Sequence, residues 1–185
     1  MDGRTDGEVM AASQGEAQHF AVIYERYFGQ IYRYVARRIG TSAADDLTAE
    51  VFLRAFARRA RFEPAAMTAR PWLYGFAANI VADHLRQQRR RSRAYVHAIE
   101  PDPGPATTTA EVDDRFDATL LAPQVNRALD SLSAAERETF LLFAVGELSY
   151  AEVAAALHIP IGTVRSRIAK ARAKMRELIH AYRQT

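Results

Sequence analysis

The chain has 185 residues, enough for one domain or two small ones, and no cysteine, which excludes a disulfide framework, thiolate catalysis and Cys-ligated zinc. It has no long apolar run and a polar N-terminus unlike a signal peptide, so we expect a cytoplasmic protein without membrane insertion. The net charge of +3 is unevenly distributed, because two basic segments flank an acidic one at residues 100–123.

The first 18 residues carry four acidic side chains and one basic side chain and show no apolar periodicity. Such a segment buries too little surface to fold, so we expect residues 1–18 to be a disordered tail. From residue 19 to 93, apolar residues recur at the spacing of amphipathic helices, and no stretch alternates like a strand. Residues 19–93 therefore predict a small helical domain.

Three helices are predicted in that domain. The first ends at Gly40, and the third begins at Pro71, a residue that is common in the first turn of a helix. The second begins at Asp45 or Asp46 and reads DDLTAEVFLRAF as far as Phe56. Its apolar residues cover a wider arc than one packing face needs. The residues alone leave two interpretations open, a surface for a partner protein or a helix buried on several sides.

The third predicted helix carries aromatic residues and an asparagine and ends in a run of arginines: Arg86, Arg89, Arg90, Arg91 and Arg93. Arginines bind phosphates, aromatic rings stack on unpaired bases, and Asn or Asp side chains can hydrogen-bond to base edges. This combination favours single-stranded or melted DNA. A solvated basic helix end, stabilised by the helix dipole, is the alternative.

Residues 94–122 predict a flexible acidic linker between two helical domains. Their sequence at 101–110, PDPGPATTTA, is rich in Pro and Thr and has no apolar periodicity. A segment of this composition does not fold alone.

The last predicted domain, residues 123–185, has the layout of a helix-turn-helix. Ser149 and Glu152 form a capping box before an apolar helix, and Pro160 ends the turn after it. The second helix has an apolar stripe and, from Arg165 on, six cations mostly on its other faces. This layout favours a helix directed at DNA, whereas a solvated basic face on a helical bundle is the alternative.

Together, these motifs resemble the extracytoplasmic function (ECF) group of bacterial RNA polymerase sigma factors, in the sigma-70 family. The resemblance rests on DDLTAEVFLRAF, PWLYGFAANIVADHLR and LSYAEVAAALHIPIGTVRSRIAKAR, in that order. It implies an all-α fold with a sigma-2-like domain at residues 19–93 and a sigma-4-like helix-turn-helix domain at residues 123–185. It also implies an initiation factor that binds core polymerase and directs it to promoters, with no catalytic residues, cofactor or metal.

The resemblance implies three groups of site residues. The surface that docks on the clamp coiled coil of the largest polymerase subunit would comprise Asp46, Leu47, Glu50, Val51, Phe52 and Arg54. The region that reads and melts the promoter −10 element would comprise Phe62, Trp72, Asn79, Asp83, Arg86, Arg89 and Arg90. The helix that enters the major groove at the −35 element would present Arg165, Ser166, Arg167, Ala169, Lys170 and Arg172.

Two segments carry finer expectations from the resemblance. The loop from Phe62 to Arg70 would pocket a base extruded from the non-template strand, with Trp72 beside it as a wedge or as a core anchor. The acidic linker would thread toward the active-site cleft of the polymerase as a mimic of nucleic acid, or it would be a solvated spacer.

The cations of the predicted −35 helix are expected to differ in role. Arg165 and Lys170 are expected to contact guanine or phosphate, with Ser166 as their neighbour. Arg167 and Arg172 are expected to be phosphate clamps. Phosphate contacts alone would give salt-dependent affinity for DNA without sequence specificity.

The partners implied by the resemblance are core polymerase and promoter DNA, duplex and melted. In the family an anti-sigma factor commonly holds the protein inactive, and the exposed polymerase-binding surface would be its target. The main alternative is a homodimeric helix-turn-helix regulator that acts without polymerase. An enzyme is disfavoured, because the five histidines are scattered without the spacing of metal ligands.

Overall fold

The computed structural model describes residues 3–63, 67–98 and 127–183, which contain helices and turns but no strand. The all-α fold predicted from the sequence is therefore confirmed. The described residues form two compact units, each with its own buried apolar residues. No helix within these ranges is both long and apolar enough to cross a membrane.

The first unit is built from the N-terminal helices of the chain. These are α1 (Asp6–Gly15), α2 (Ala21–Ile39), α3 (Ala44–Ala57) and α4 (Arg70–Ala98), with 3-10 turns at Ala17–Phe20 and Arg59–Arg61. The α4 helix belongs to this unit from Gly75 onward. Its core includes large side chains of several helices: Val9, Met10, Ile23, Ile31, Val35, Val51 and Val81.

The prediction that residues 1–18 are disordered is wrong, because α1 forms within them. A capping box starts this helix: the Glu8 N–H donates to Thr5 Oγ1 at 3.3 Å, and the Thr5 N–H donates to Glu8 Oε2 at 2.7 Å. Val9 and Met10 are fully buried. Packing of this apolar pair stabilises a helix that would be marginal alone.

Local signals set the ends of α2 and α3. Gly40 ends α2 as predicted, with a φ of 82° and an N–H that donates to the Ala36 carbonyl at 2.9 Å. The start of α3 lies at Ala44, just before the predicted start at Asp45 or Asp46. Both boundaries agree with the sequence to within the ambiguity of helix assignment.

The α4 helix is longer than predicted. It begins with Pro71 in its first turn, as expected, and continues to Ala98, beyond the predicted domain boundary at residue 93. The linker predicted at residues 94–122 therefore starts as helix. The remainder of that linker lies outside the described residues, as do residues 64–66 of the loop predicted to pocket a base.

Aromatic side chains pack between α2 and α3. The Tyr24 and Phe52 rings meet edge to face with centroids 4.8 Å apart, and the Phe20 and Phe56 rings do so at 5.3 Å. Phe28 lies 6.4 Å from Phe52 in a stacked arrangement. Such pairs add to the burial of apolar area, so this cluster fixes how α3 lies on α2.

The second unit contains the C-terminal helices. These are α5 (Ala134–Ala144), α6 (Tyr150–Leu157) and α7 (Ile161–Arg183), preceded by helical residues at 127–131. The core of this unit takes side chains from all three helices and from the turn between the first two: Leu142, Leu148, Val153, Val164 and Ile168.

The turn from α5 to α6 is tight around Gly146. The Gly146 N–H donates to the Leu141 carbonyl at 3.1 Å, and the Leu148 N–H donates to the Leu142 carbonyl at 3.2 Å. A Cβ at position 146 would lie 2.6 Å from the Leu142 carbonyl oxygen, closer than van der Waals contact allows. Glu147 follows with a φ of 54°, in the left-handed region. Only glycine fits the first of these positions.

Candidate nucleic-acid interface

The predicted helix-turn-helix is formed by α6, the turn after it and α7. The capping box of α6 is present: the Glu152 N–H donates to Ser149 Oγ at 3.2 Å, and the Ser149 N–H donates to Glu152 Oε2 at 2.8 Å. The helix ends at His158, which has a left-handed φ of 52°. The Ile159 N–H then closes the turn on the Ala154 carbonyl at 3.1 Å. Local hydrogen bonds thus define both ends of α6.

Pro160 leads directly into α7. Its carbonyl accepts from the Thr163 N–H at 2.9 Å and from the Val164 N–H at 3.2 Å, which closes the first turn of the helix. Val164, Ile168 and Ala171 are at most 1% exposed. The apolar stripe predicted for α7 is therefore confirmed at these positions, and the opposite side of the helix is free to face another molecule.

Five of the six residues predicted to read the −35 element are exposed: Arg165, Ser166, Ala169, Lys170 and, further along α7, Arg172. Arg165 and Ala169 are four residues apart, as are Ser166 and Lys170, so the four lie within two adjacent turns. Within the described ranges, Arg165 makes no hydrogen bond or ion pair. The Ser166 hydroxyl donates to the Thr163 carbonyl at 3.0 Å. This face therefore presents two cations and a hydroxyl to solvent.

Three other cations of α7 lie against α5 or the residues before it. Arg167 Nη1 donates to Thr139 Oγ1 at 3.5 Å, and the Arg172 guanidinium lies over the Phe143 ring, 5.1 Å from its centroid. Lys174 Nζ donates to the Ser131 carbonyl at 2.9 Å. Arg167 and Arg172 thus contact side chains of α5, although Arg172 is also exposed, and the sequence pattern did not indicate these contacts.

A capping carboxylate adds to the electrostatics of this unit. The Ser133 N–H donates to Glu136 Oε2 at 3.0 Å. This bond, the Ser133 hydroxyl and the nearby Lys174 and Lys170 hold the pKa of the Glu136 carboxyl below its usual range. Glu136 Oε2 lies 3.8 Å from Lys174 Nζ. Within the described ranges, no three His, Asp or Glu side chains are grouped so as to hold a metal ion.

The predicted −10 residues of α4 form a line along one side of the helix. Asn79, Asp83, Arg86 and Arg90 are spaced by four, three and four residues, which places them on one face. Asn79, Arg86 and Arg90 are exposed, and Asp83 is partly so. Arg86 forms an ion pair with Asp83 one turn away. Arg89 is exposed on the adjacent side.

The two aromatic residues predicted beside that face differ in accessibility. Phe62 is buried, with 6% of its surface exposed, and its contact with DNA stays a prediction. Its position after the 3-10 turn Arg59–Arg61 directs the ring into the unit. Trp72 is partly buried in the first turn of α4, and both of its expected roles, wedge and core anchor, stay predictions.

The predicted polymerase-docking surface on α3 is only partly exposed. Val51 and Phe52 are 0% and 4% exposed, so the expectation that they lie on that surface is wrong: they pack in the core. Leu53, which the prediction left out, is 68% exposed. Exposed or partly exposed polar and apolar side chains of the same helix accompany it: Asp46, Leu47, Glu50 and Arg54.

An ion pair orders part of that α3 surface. Glu50 and Arg54 lie one helical turn apart and bond through Oε1 and Nη2. Both side chains are about two-fifths exposed, so the pair contributes little to stability and remains available to a partner. Tyr24 of α2 is also exposed at its edge, at 42%. An apolar side chain with an acidic and basic rim is a usual protein-binding pattern.

Two family models match the chain. Sigma-70 region 2 matches residues 23–91, and Sigma-70, region 4 matches residues 123–175. The first match spans α2, α3 and most of α4, and the second spans α5, α6 and the first part of α7. The two matches lie in the order that the sequence motifs predicted.

The chain is also similar in sequence to curated sigma factors. The chain is 33% identical over 168 residues to the ECF RNA polymerase sigma factor SigC of Mycobacterium tuberculosis, an alignment that covers 88% of this chain and 84% of that protein. It is 31% identical over 166 residues to the RNA polymerase sigma factor CarQ of Myxococcus xanthus, covering 89% of this chain and 91% of that protein.

Solved structures share the fold. CnrH in complex with the cytosolic domain of CnrY matches with a TM-score of 0.66 and 24% identity over 96% of this chain and 99% of that chain. The sigma factor RpoE of Bartonella quintana, in complex with the anti-sigma factor NepR, matches with a TM-score of 0.59 and 22% identity over 87% and 96%. The family matches and the curated relatives together show that this chain belongs to the ECF sigma factors, the alternative sigma factors that recognise promoters.

Proposed function

We propose that this sigma factor docks on core RNA polymerase through α3, reads the −35 element through α7, and reads and melts the −10 element through α4 and the residues before it. The observation that carries the proposal is the exposed face of α7, which presents Arg165, Ser166, Ala169 and Lys170 on the second helix of a helix-turn-helix. A basic, solvent-facing helix in this position suits the major groove of duplex DNA.

At the −35 element, Arg165 and Lys170 are the residues that contact guanine edges or phosphates. A good bidentate contact with a base discriminates by about 1–3 kcal/mol, whereas a phosphate contact adds affinity at every sequence. Ala169 offers a small apolar contact beside them. Arg167 and Arg172 are in contact with Thr139 and Phe143, so we expect a smaller contribution from them to DNA affinity.

At the −10 element, the line of Asn79, Asp83, Arg86 and Arg90 follows the non-template strand. The Asn79 amide donates to or accepts from base edges, the Asp83 carboxylate accepts from them, and Arg86 and Arg90 neutralise phosphates. The ion pair between Asp83 and Arg86 holds both side chains on this face before DNA arrives. The connector before α4 takes an extruded base, whose unstacking costs a few kcal/mol.

On core polymerase, α3 binds the clamp coiled coil of the largest subunit. Leu53 supplies the apolar centre of the contact, with Asp46, Glu50 and Arg54 as its polar rim. Val51 and Phe52 act from beneath by fixing the helix against α2 rather than by touching the polymerase.

An anti-sigma factor is a further partner of this chain in our proposal. Two solved structures with this fold, CnrH with CnrY and RpoE with NepR, contain a second protein, and NepR is an anti-sigma factor. The exposed Leu53 of α3 is a suitable target, because covering it would block docking on polymerase. The complete cycle of capture, release and promoter binding would take place in the cytoplasm.

Run-off transcription tests the proposal. Purified bacterial core polymerase is combined with genomic promoter fragments, with and without this protein, and discrete new transcripts are expected only with it. The double variant Arg165→Ala/Lys170→Ala should lose those transcripts and still co-elute with core polymerase. Absence of transcripts, no co-elution with core polymerase, and duplex binding by a dimer of this chain alone would instead establish a homodimeric regulator.

A further inference from the structure

Ile161, the first residue of α7, leaves a large apolar side chain in contact with solvent. Its exposed fraction is 42%, and within the described part of the second unit it is the one large apolar side chain that is exposed. Val164 and Ile168, farther along the same helix, are at most 1% exposed. The first turn of α7 therefore presents an apolar group that the core of the unit does not use.

The start of α7 does not account for this side chain either. Pro160 precedes the helix, and its carbonyl accepts from the Thr163 and Val164 N–H groups. With Pro160 as the cap, Ile159 and Val164 occupy the two positions of a hydrophobic staple, and Ile161 lies outside that pair. Neither the core nor the helix cap therefore requires an isoleucine at position 161.

The surroundings of Ile161 are strongly basic. Arg165 and Ala169 follow it at intervals of four residues, so the three lie along one side of the helix, and all three are exposed. Between residues 161 and 176 the sequence has six cations and no acidic side chain. An apolar side chain among so many cations suits a polyanion that also offers an apolar group, rather than an ordinary apolar protein surface.

Gly162 leaves room beside Ile161. A Cβ at position 162 would meet no atom of the described residues within 4 Å, and its φ is not in the left-handed region. Neither crowding nor backbone conformation within these residues therefore calls for glycine, although glycine in a helix is less favourable than alanine. Where a side chain is missing, another molecule can approach the backbone closely. The first turn of α7 is thus open to close contact at Gly162, which is also exposed.

We propose that Ile161 reads a thymine of the −35 element, by packing its side chain against the C5-methyl group of that base. The inference rests on the proposed role of α7 in the major groove. There, thymine is the base that presents an apolar group, and the first residues of a recognition helix are those that reach base edges. Ile161 thereby adds an apolar contact to the polar contacts of Arg165 and Lys170.

The position of the thymine follows from helix geometry. Four residues of α-helix rise about 6 Å, whereas neighbouring bases of one strand are about 3.4 Å apart along the duplex. The thymine should therefore lie within about two base steps of the base pair that faces Arg165. Ile161 thus constrains the promoter sequence next to the contact of Arg165.

The test uses full-length protein, core polymerase and a fluorescent −35 duplex taken from a promoter that gives a run-off transcript. Each thymine of the element is replaced in turn by deoxyuridine, which keeps every hydrogen-bonding group and removes only the methyl. For the wild-type holoenzyme we expect one of these duplexes to bind about fourfold more weakly, the value of one buried methyl group. For Ile161→Ala, that duplex and its thymine parent should bind equally.

Two other variants separate loss of the methyl contact from weaker binding in general. Arg165→Ala should weaken binding of the thymine and deoxyuridine duplexes by the same factor, so the ratio of their affinities is retained. Ile159→Ala, the same truncation two residues earlier in the turn, is the matched control and should also keep this ratio.

The inference is overturned if no deoxyuridine duplex weakens binding by wild type, or if Ile161→Ala keeps the discrimination against deoxyuridine. If Ile161→Ala does not fold, Ile161→Val takes its place and should reduce the discrimination. If Arg165→Ala/Lys170→Ala leaves binding of the −35 duplex unchanged, the proposed role of α7 fails and the inference with it. A loss in that double variant without any deoxyuridine effect would overturn the inference and leave the role of α7 in place.

Discussion

The guanidinium carbon of Arg172 lies 5.1 Å from the centroid of the Phe143 ring, so this cation of α7 is held against α5. Arg165, two turns earlier on the same helix, is exposed and makes no such contact within the described residues. Both arginines belong to one basic run, and charge alone does not distinguish them. Both are exposed, and the contact with Phe143 is what distinguishes Arg172 from Arg165.

We expect Arg165→Ala and Arg172→Ala to differ in the salt dependence of promoter binding. Loss of a phosphate contact at Arg165 should lower the slope of log affinity against log salt by about 1, or cost about 1–3 kcal/mol if Arg165 reads a base. Arg172→Ala should instead lower the free energy of unfolding by about 0.5–1 kcal/mol, with little change in slope. Holoenzyme binding to a −35 duplex across a salt series, together with urea unfolding, measures both. Equal changes of slope in Arg165→Ala and Arg172→Ala would contradict the expected difference between the two arginines.

Leu53 and Phe52, neighbours on α3, should separate polymerase binding from stability. Leu53 is 68% exposed, so Leu53→Ser should change the free energy of unfolding by no more than about 0.5 kcal/mol while affinity for core polymerase falls. Phe52 is 4% exposed, and Phe52→Ala should destabilise the unit by about 3–5 kcal/mol. Fluorescence anisotropy with labelled protein and core polymerase gives the affinity. Unchanged affinity in Leu53→Ser would place the docking surface elsewhere.

His158 should be replaceable by glycine with a gain in stability. Its φ of 52° is in the left-handed region, where a Cβ is unfavourable. His158→Gly removes that strain, and after allowance for the greater freedom of glycine in the unfolded chain we expect a gain of about 0.5–1 kcal/mol. His158→Ala keeps the Cβ and is the control, with no gain expected. The denaturant midpoints of wild type, His158→Gly and His158→Ala test this prediction. A midpoint for His158→Gly below that of wild type would contradict it.

The contribution of Glu136 to stability should depend on pH. Its bonds to Ser133 and the nearby lysines lower its pKa in the folded protein relative to the unfolded chain. The contribution is therefore present above the unfolded pKa of about 4.3 and is lost as the pH falls through the lower folded value. Gln at this position still completes a capping box, so Glu136→Gln removes only the charge.

Urea unfolding of wild type and Glu136→Gln at a series of pH values tests this expectation. The stability difference should be largest near neutral pH and should shrink as the pH falls below about 4. Glu177→Gln, an exposed residue of α7, controls for general loss of negative charge. A difference that stays constant over the whole range would show that the charge of Glu136 plays no part.

Helix ends and the helix-turn-helix were predictable because their signals are local. Gly40, Pro71 and the capping box at Ser149 each act within a few residues of themselves. The α1 helix was missed because its two apolar residues give little periodicity and its anchor, Asp6, finds its partners far along the chain. Tertiary contacts stabilise that helix, and the spacing of residues in the sequence does not predict them.

The sequence also could not predict which side chains of a helix face solvent. Val51, Phe52 and Leu53 are consecutive and apolar, and only the packing of α3 on α2 buries the first two and exposes the third. The cations of α7 pose the same difficulty, because Thr139 and Phe143, which engage two of them, lie on another helix. Periodicity gives the width of an apolar arc, and tertiary structure decides how much of it is covered.

The turn at Gly146 has a consequence for variation of this sequence. Because any Cβ there would lie 2.6 Å from a backbone oxygen rather than from a movable side chain, all other amino acids share the same clash whatever their size or polarity. A library with every codon randomised and selected for transcription should therefore keep one amino acid at position 146. At position 147, where the constraint is the sign of φ, asparagine and glycine should be enriched and many others retained. Adjacent positions of one turn would then carry very different mutational tolerance.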